Sequence, residues 1–95
     1  MNTVFFNQKT PKEINKLIAK RLRDIRKRRK ISQAKLSERS GVSLGSLKRF
    51  ENIGQISLCS LTKIAIALNC DSELRQLFEN IQFESIQEVI DGQKK

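Results

Sequence analysis

The chain has no histidine, no tryptophan and no tyrosine, and only one proline and two cysteines. Without histidine it lacks the side chain most often used as a metal ligand and as a general base near neutral pH. Cys59 and Cys70 are not spaced as C-x-x-C, so neither a disulfide framework nor a zinc site is indicated, and buried free thiols are expected. Runs of about 18 apolar residues are absent as well. The opening stretch MNTVFFNQKT has no charged segment followed by a long apolar one. A cytoplasmic location with no membrane association is therefore expected. Ser32 and Lys35 spell S-x-x-K, the nucleophile signature of certain acyl-enzymes, but the partner motifs are missing and Ser32 is explained as a helix cap. No clustered carboxylates and no phosphate-binding glycine loop are left to support catalysis, so no enzyme activity, cofactor or metal is expected.

What the chain does have is positive charge. Nineteen Lys and Arg against ten Asp and Glu give +9 over 95 residues. The charge is uneven: residues 1–30 hold 11 basic and 2 acidic side chains, 31–51 hold 4 and 2, and 52–95 hold 4 and 6. A polyanionic partner facing the first half follows from this, with nucleic acid and an anionic membrane both in view. With 38% hydrophobic residues in clear periodicity, the chain reads as one globular domain.

The periodicity is helical throughout. Thr10-Pro11-Lys12-Glu13 supplies a cap, a first-turn proline and the glutamate of a capping box. Ile14, Leu17, Ile18, Leu22 and Ile25 then form one apolar stripe of a helix reaching about Arg29, with Lys and Arg around it. The stripe holds no aromatic anchor, which argues against a helix lying on a membrane. Ser32 caps a short helix that ends at Gly41, and Ser43 caps a third with Leu47 and Phe50 inward. A loop at Asn52-Ile53-Gly54-Gln55 precedes a fourth helix from Ser57, whose inward set is Leu58, Leu61, Ile64, Ala65 and Leu68. Asn69 ends it, and Asp71 caps a fifth carrying Leu74, Leu77 and Phe78. One or two further turns are expected near residues 84–90. No alternation of strand type competes, so the fold class is all-α, a compact bundle of about five helices.

Two short helices joined by a glycine turn cross steeply, so the second projects with one face free. In ISQAKLSERSGVSLGSLKRFE, residues 31–51, Leu36, Gly41, Val42, Leu47 and Phe50 fall at the apolar and glycine positions of a known motif. On these residues the chain resembles the helix-turn-helix regulators of the Cro and phage-repressor (Xre-like) type, over residues 14–78. Ser37 stands where that family usually has alanine, and Lys30 where it usually has glycine. A left-handed backbone at Lys30 costs more than it would for glycine.

The resemblance implies a bundle of the lambda-repressor type in three parts: an N-terminal arm (1–9), a helix-turn-helix DNA-binding domain (10–79) and a C-terminal tail (80–95). It also implies roles. Ser43, Leu44, Gly45, Lys48 and Arg49 are expected to reach base edges. Arg49 is the leading reader, because its forked donors match guanine O6 and N7. Gln33, Ser32, Ser46 and Arg26 are expected at phosphates, Arg26 also pairing with Glu51. The cations of residues 20–30 add attraction that weakens with salt.

The implied partner is a palindromic double-stranded operator bound by a homodimer, the chain being a repressor of bacterial or phage origin. The wording VSLGSLKRFENIGQISLCSLTKIAIAL also resembles the antitoxins encoded beside HipA-type kinases. That likeness implies a second partner, a toxin kinase contacted through Val4-Phe5-Phe6 or the tail.

Overall fold

Residues 8–80 are described by a computed structural model, and among them five helices and no strand occur. Helix α1 (Pro11–Arg28) starts on the expected capping box: the Glu13 amide donates to Thr10 Oγ1 at 3.1 Å, and the Thr10 amide donates to Glu13 Oε1 at 3.3 Å. It ends on a left-handed residue, Lys30, with φ +57°. There the amides of Lys30 and Ile31 donate back to the carbonyls of Lys27 and Arg26, the double bond pattern that closes many helix ends. A lysine pays for that conformation where glycine would not.

Helix α2 (Gln33–Ser40) is capped by Ser32 and closed by Gly41 at φ +76°. Helix α3 (Leu44–Ile53) is capped by Ser43 and closed by Gly54 at φ +78°. A Cβ on Gly41 would meet nothing within 4 Å, so only the backbone angle asks for glycine there. Gly54 is different, because a Cβ there would lie 2.8 Å from the Asn15 carbonyl carbon and 2.9 Å from the Lys16 nitrogen. The end of α3 thus presses backbone to backbone on the start of α1.

Helix α4 (Leu58–Ala67) starts on Ser57, whose hydroxyl accepts the Ser60 amide at 3.0 Å. It closes through Asn69, φ +56°, with the same pair of returning bonds as α1. Helix α5 (Asp71–Arg75) is short. Asp71 was expected as its cap, but Cys70 holds that position without a side-chain bond, and Asp71 lies in the first turn 3.5 Å from Arg75.

Helix α1 packs on α3, α2 on both α3 and α4, and α5 on α4. The core is Ala19, Leu36, Val42, Leu47, Phe50, Ile64 and Leu68, with Ala65 buried beside them. Ser37, replacing the usual alanine, finds a partner: its hydroxyl donates to the Val42 carbonyl at 2.6 Å, so the helix-to-helix contact carries no orphan polar group.

The apolar stripe of α1 is not the most buried side of that helix. Ala19 and Arg26 are, while Ile14 and Ile18 stay exposed and Leu22 and Ile25 are half-buried. Ala19 joins the core cluster. Ile18, Leu22 and Ile25 of the stripe instead line an apolar groove of about 290 Å³ with Leu61 and Ala65 of α4, Cys70, Leu74 of α5 and Leu77. Two expectations are corrected here: Leu58, expected inward, is 71% exposed, and Leu77 and Phe78, expected on the fifth helix, lie beyond its end at Arg75, both exposed. The turns expected near 84–90, like Val4-Phe5-Phe6, lie outside the described residues.

Candidate nucleic-acid interface

Helix α3 divides cleanly. Leu47 and Phe50, three residues apart, are buried in the core at 0% and 2% exposure. Ser43, Leu44, Gly45, Ser46, Lys48 and Arg49 are all exposed, together with Asn52 one turn on from Lys48. Ser43 starts this face: its hydroxyl accepts the Ser46 amide at 3.1 Å and donates to Ser46 Oγ at 2.8 Å. Nothing lies within 4 Å of a Cβ built on Gly45, so the protein itself makes no use of the space. The five residues expected at base edges therefore share one open surface.

Behind that surface stands a buried ionic brace. Arg26 Nε donates to Glu51 Oε2 at 2.7 Å, Nη2 to Oε1 at 2.9 Å, and Nη1 to the Ile31 carbonyl at 2.8 Å. Gln33 Nε2 donates to the same Glu51 Oε1 at 2.9 Å. One carboxylate thus ties together α1, the start of α2 and α3. A paired guanidinium fork of this kind fixes orientation as well as charge. Among the described residues no buried side-chain nitrogen or oxygen lacks a partner.

The Arg26 side chain is 9% exposed, with its guanidinium turned onto Glu51 and the Ile31 carbonyl and two of its five N–H donors left over. Gln33 is half-buried; its amide nitrogen has a second donor left beyond the bond to Glu51. Ser32 is exposed with its hydroxyl engaged by the Lys35 amide at 3.0 Å. Gln33, Lys48, Glu51 and Asn52 line a polar cleft of about 300 Å³ with Arg23 and Arg26. Arg23 was expected only among the cations of residues 20–30, and Asn52, expected in a loop, lies instead in the last turn of α3, which runs to Ile53. The turn-by-turn spacing of Lys48 and Asn52 was the available signal.

A second cleft, about 280 Å³, lies on the other flank of α3 and is lined by Ser46, Arg49, Gln55, Ile56, Ser57 and Ser60. There Arg49 Nη2 donates to Gln55 Oε1 at 2.5 Å. Sequence reasoning placed Gln55 in a connecting loop, and no local pattern announces its meeting with Arg49.

A projecting helix with a polar, cationic outer face, seated on a shorter helix through a glycine turn, is the architecture of a helix-turn-helix DNA-binding domain. A family model described as helix-turn-helix matches residues 22–74, more than half of the chain, and the chain belongs to that family, the Cro/C1-type DNA-binding regulators. No curated protein and no solved structure matches it. Among the described residues no helix is long and apolar enough to cross a membrane.

Proposed function

We propose that this regulator reads a specific double-stranded sequence by laying the outer face of α3 in the major groove, and that it acts as a repressor, including of its own promoter. The observation that carries the reading is the division of α3: one face is buried and braced through Glu51, while the other presents Ser43, Leu44, Gly45, Lys48 and Arg49 to solvent. A groove about 12 Å wide admits such a helix. Arg49 takes guanine O6 and N7, Leu44 meets a thymine methyl, and Gly45 lets the backbone come near the base edges. Ser32, Gln33 and Ser46 take phosphates, Gln33 with the amide donor that Glu51 leaves unused.

One helix of this length touches few base pairs, so the protein binds as a homodimer on a palindromic operator, with half-sites about 34 Å apart. Selection of bound fragments from a randomised duplex pool tests the reading. The expected product is a palindrome whose guanine preference at one position per half-site disappears in Arg49→Ala, whereas Gln33→Ala weakens binding to all sequences alike. Equal loss on every sequence in Arg49→Ala would remove Arg49 from readout.

A second reading, an antitoxin that also binds a HipA-type kinase, is favoured by one feature. The apolar groove is lined from α1, α4 and α5 and from no residue of α2 or α3, leaving it free while DNA is held. Co-purification of a kinase encoded by the adjacent gene, lost in Ile18→Asp but kept in Arg49→Ala, is the expected result. A neighbouring gene of any other kind would leave the plain repressor.

A further inference from the structure

Among the described residues Arg49 forms no ion pair, and its guanidinium is held from one side by the amide oxygen of Gln55. From this contact we infer that Gln55, a residue beyond the two helices of the motif, is the positioning residue for base readout: it fixes the direction of the Arg49 fork. The inference rests on the reading of Arg49 as the base-contacting side chain.

Three features support it. First, the partner's orientation is dictated: a guanidinium has donors only, so the oxygen of Gln55 must face Arg49, and its NH2 group is turned away as a free double donor. Second, the bond consumes one hydrogen on Nη2. The guanidinium still offers a two-donor edge, which is what recognition of guanine O6 and N7 requires. An exposed arginine with no such restraint would have to freeze its rotatable bonds on binding DNA, and a side chain already held loses less.

Third, Gln55 stands on a rigid base although it lies in a loop. Gly54 before it is buried, left-handed and pressed on the backbone of Asn15 and Lys16, and its amide donates to the Phe50 carbonyl at 2.8 Å. Ile56 after it packs against the core, and Ser57 caps α4. The loop therefore has little freedom to carry Gln55 away. Contact between α1 and the end of α3 is transmitted through two residues to the guanidinium that meets the base.

The test is a coupled selection with the full chain. Randomised duplexes bound by the unaltered protein, Arg49→Ala, Gln55→Ala, Gln55→Glu and the double variant Arg49→Ala/Gln55→Ala are sequenced. Melting temperatures are recorded beside them, and none of these exposed substitutions is expected to move them appreciably. Gln55→Ala should reduce guanine preference at the position governed by Arg49 by at least about threefold, as expected for coupled neighbours, and leave other positions unchanged. Added to Arg49→Ala, it should change nothing further at that position. Gln55→Glu should keep the preference, since a carboxylate still accepts from Arg49, while weakening binding to every sequence by repulsion from phosphates. If Arg49→Ala abolishes the preference and Gln55→Ala leaves it intact, or sharpens it because Gln55 had been competing with the base, the positioning role is overturned and the readout role stands. If Arg49→Ala itself alters no position, the readout role fails and the positioning role falls with it.

Discussion

Arg26 and Arg49 stand on two helices that pack against each other, carry the same side chain, and live in opposite surroundings. Arg26 is buried, with Nε, Nη1 and Nη2 all donating to Glu51 or to the Ile31 carbonyl. Arg49 is exposed, with one bond to an uncharged amide. A guanidinium committed to a buried carboxylate resists reorganisation, because separating the pair leaves a charge away from water. A guanidinium restrained at one edge keeps its remaining donors for another molecule. The first arginine holds the frame and the second faces outward from it, and the contrast comes from depth and partner, not from residue type.

The contrast can be broken most severely at Glu51. Glu51→Ala strands Arg26 and frees Gln33, and it should cost about 3–5 kcal/mol of stability in urea unfolding. Replacing both partners, Arg26→Met with Glu51→Leu, should recover most of that loss, since no charge is then stranded. An unchanged midpoint for Glu51→Ala would show that the brace contributes nothing to the fold.

Next in size is Gly54→Ala, which combines a left-handed backbone with a Cβ driven onto Asn15 and Lys16, and should cost about 2 kcal/mol or more. Gly41→Ala meets only the backbone penalty, about 1 kcal/mol. A larger loss at Gly41 than at Gly54 would contradict the close approach of α3 to α1. Arg49→Ala should leave stability within about 0.5 kcal/mol while lowering discrimination at its base pair by about 1–3 kcal/mol, the reverse of the pattern at Arg26.

The smallest effects lie away from both arginines. The Glu13 carboxyl is held below its ordinary value first by its bonds to Thr10. A carboxyl with a depressed folded value contributes stability above its unfolded value and loses it as pH falls through the folded one. The unfolding midpoint of Glu13→Gln should therefore depend slightly less on pH across the acid range than that of the unaltered chain. Burial pushes the Cys70 thiol up, whereas Cys59, expected to be buried, is exposed. Alkylation at neutral pH should modify Cys59 first, and the reverse order would mean that the lining of the apolar groove around Cys70 opens readily.

Much of the frame was legible in the chain because its signals are local. Thr10 with Glu13, Ser32, Ser43 and Ser57 each mark a helix start, and each hydroxyl accepts an amide in the structure. The strained lysine at 30 and the Arg26–Glu51 pair were expected from the family resemblance and are present. The stripe of α1 was legible as a stripe but not as a side. Periodicity says which residues share a face, and cannot say that Ala19 and Arg26 face α3 while Ile14 and Ile18 remain exposed. The same limit applies to Leu58, whose apolar character fits a core that α4 does not bring to it.

The order of residues by itself determined five helices, the caps of the first four, the glycine turn and which side of α3 is polar, since each follows from contacts within four residues along the chain. Only the tertiary structure decided that Glu51 gathers Arg26 and Gln33, that Gly54 abuts Asn15, and that Gln55 reaches Arg49. Those meetings depend on how helices cross, and a crossing is set by side-chain volumes on two elements at once, which no single segment carries.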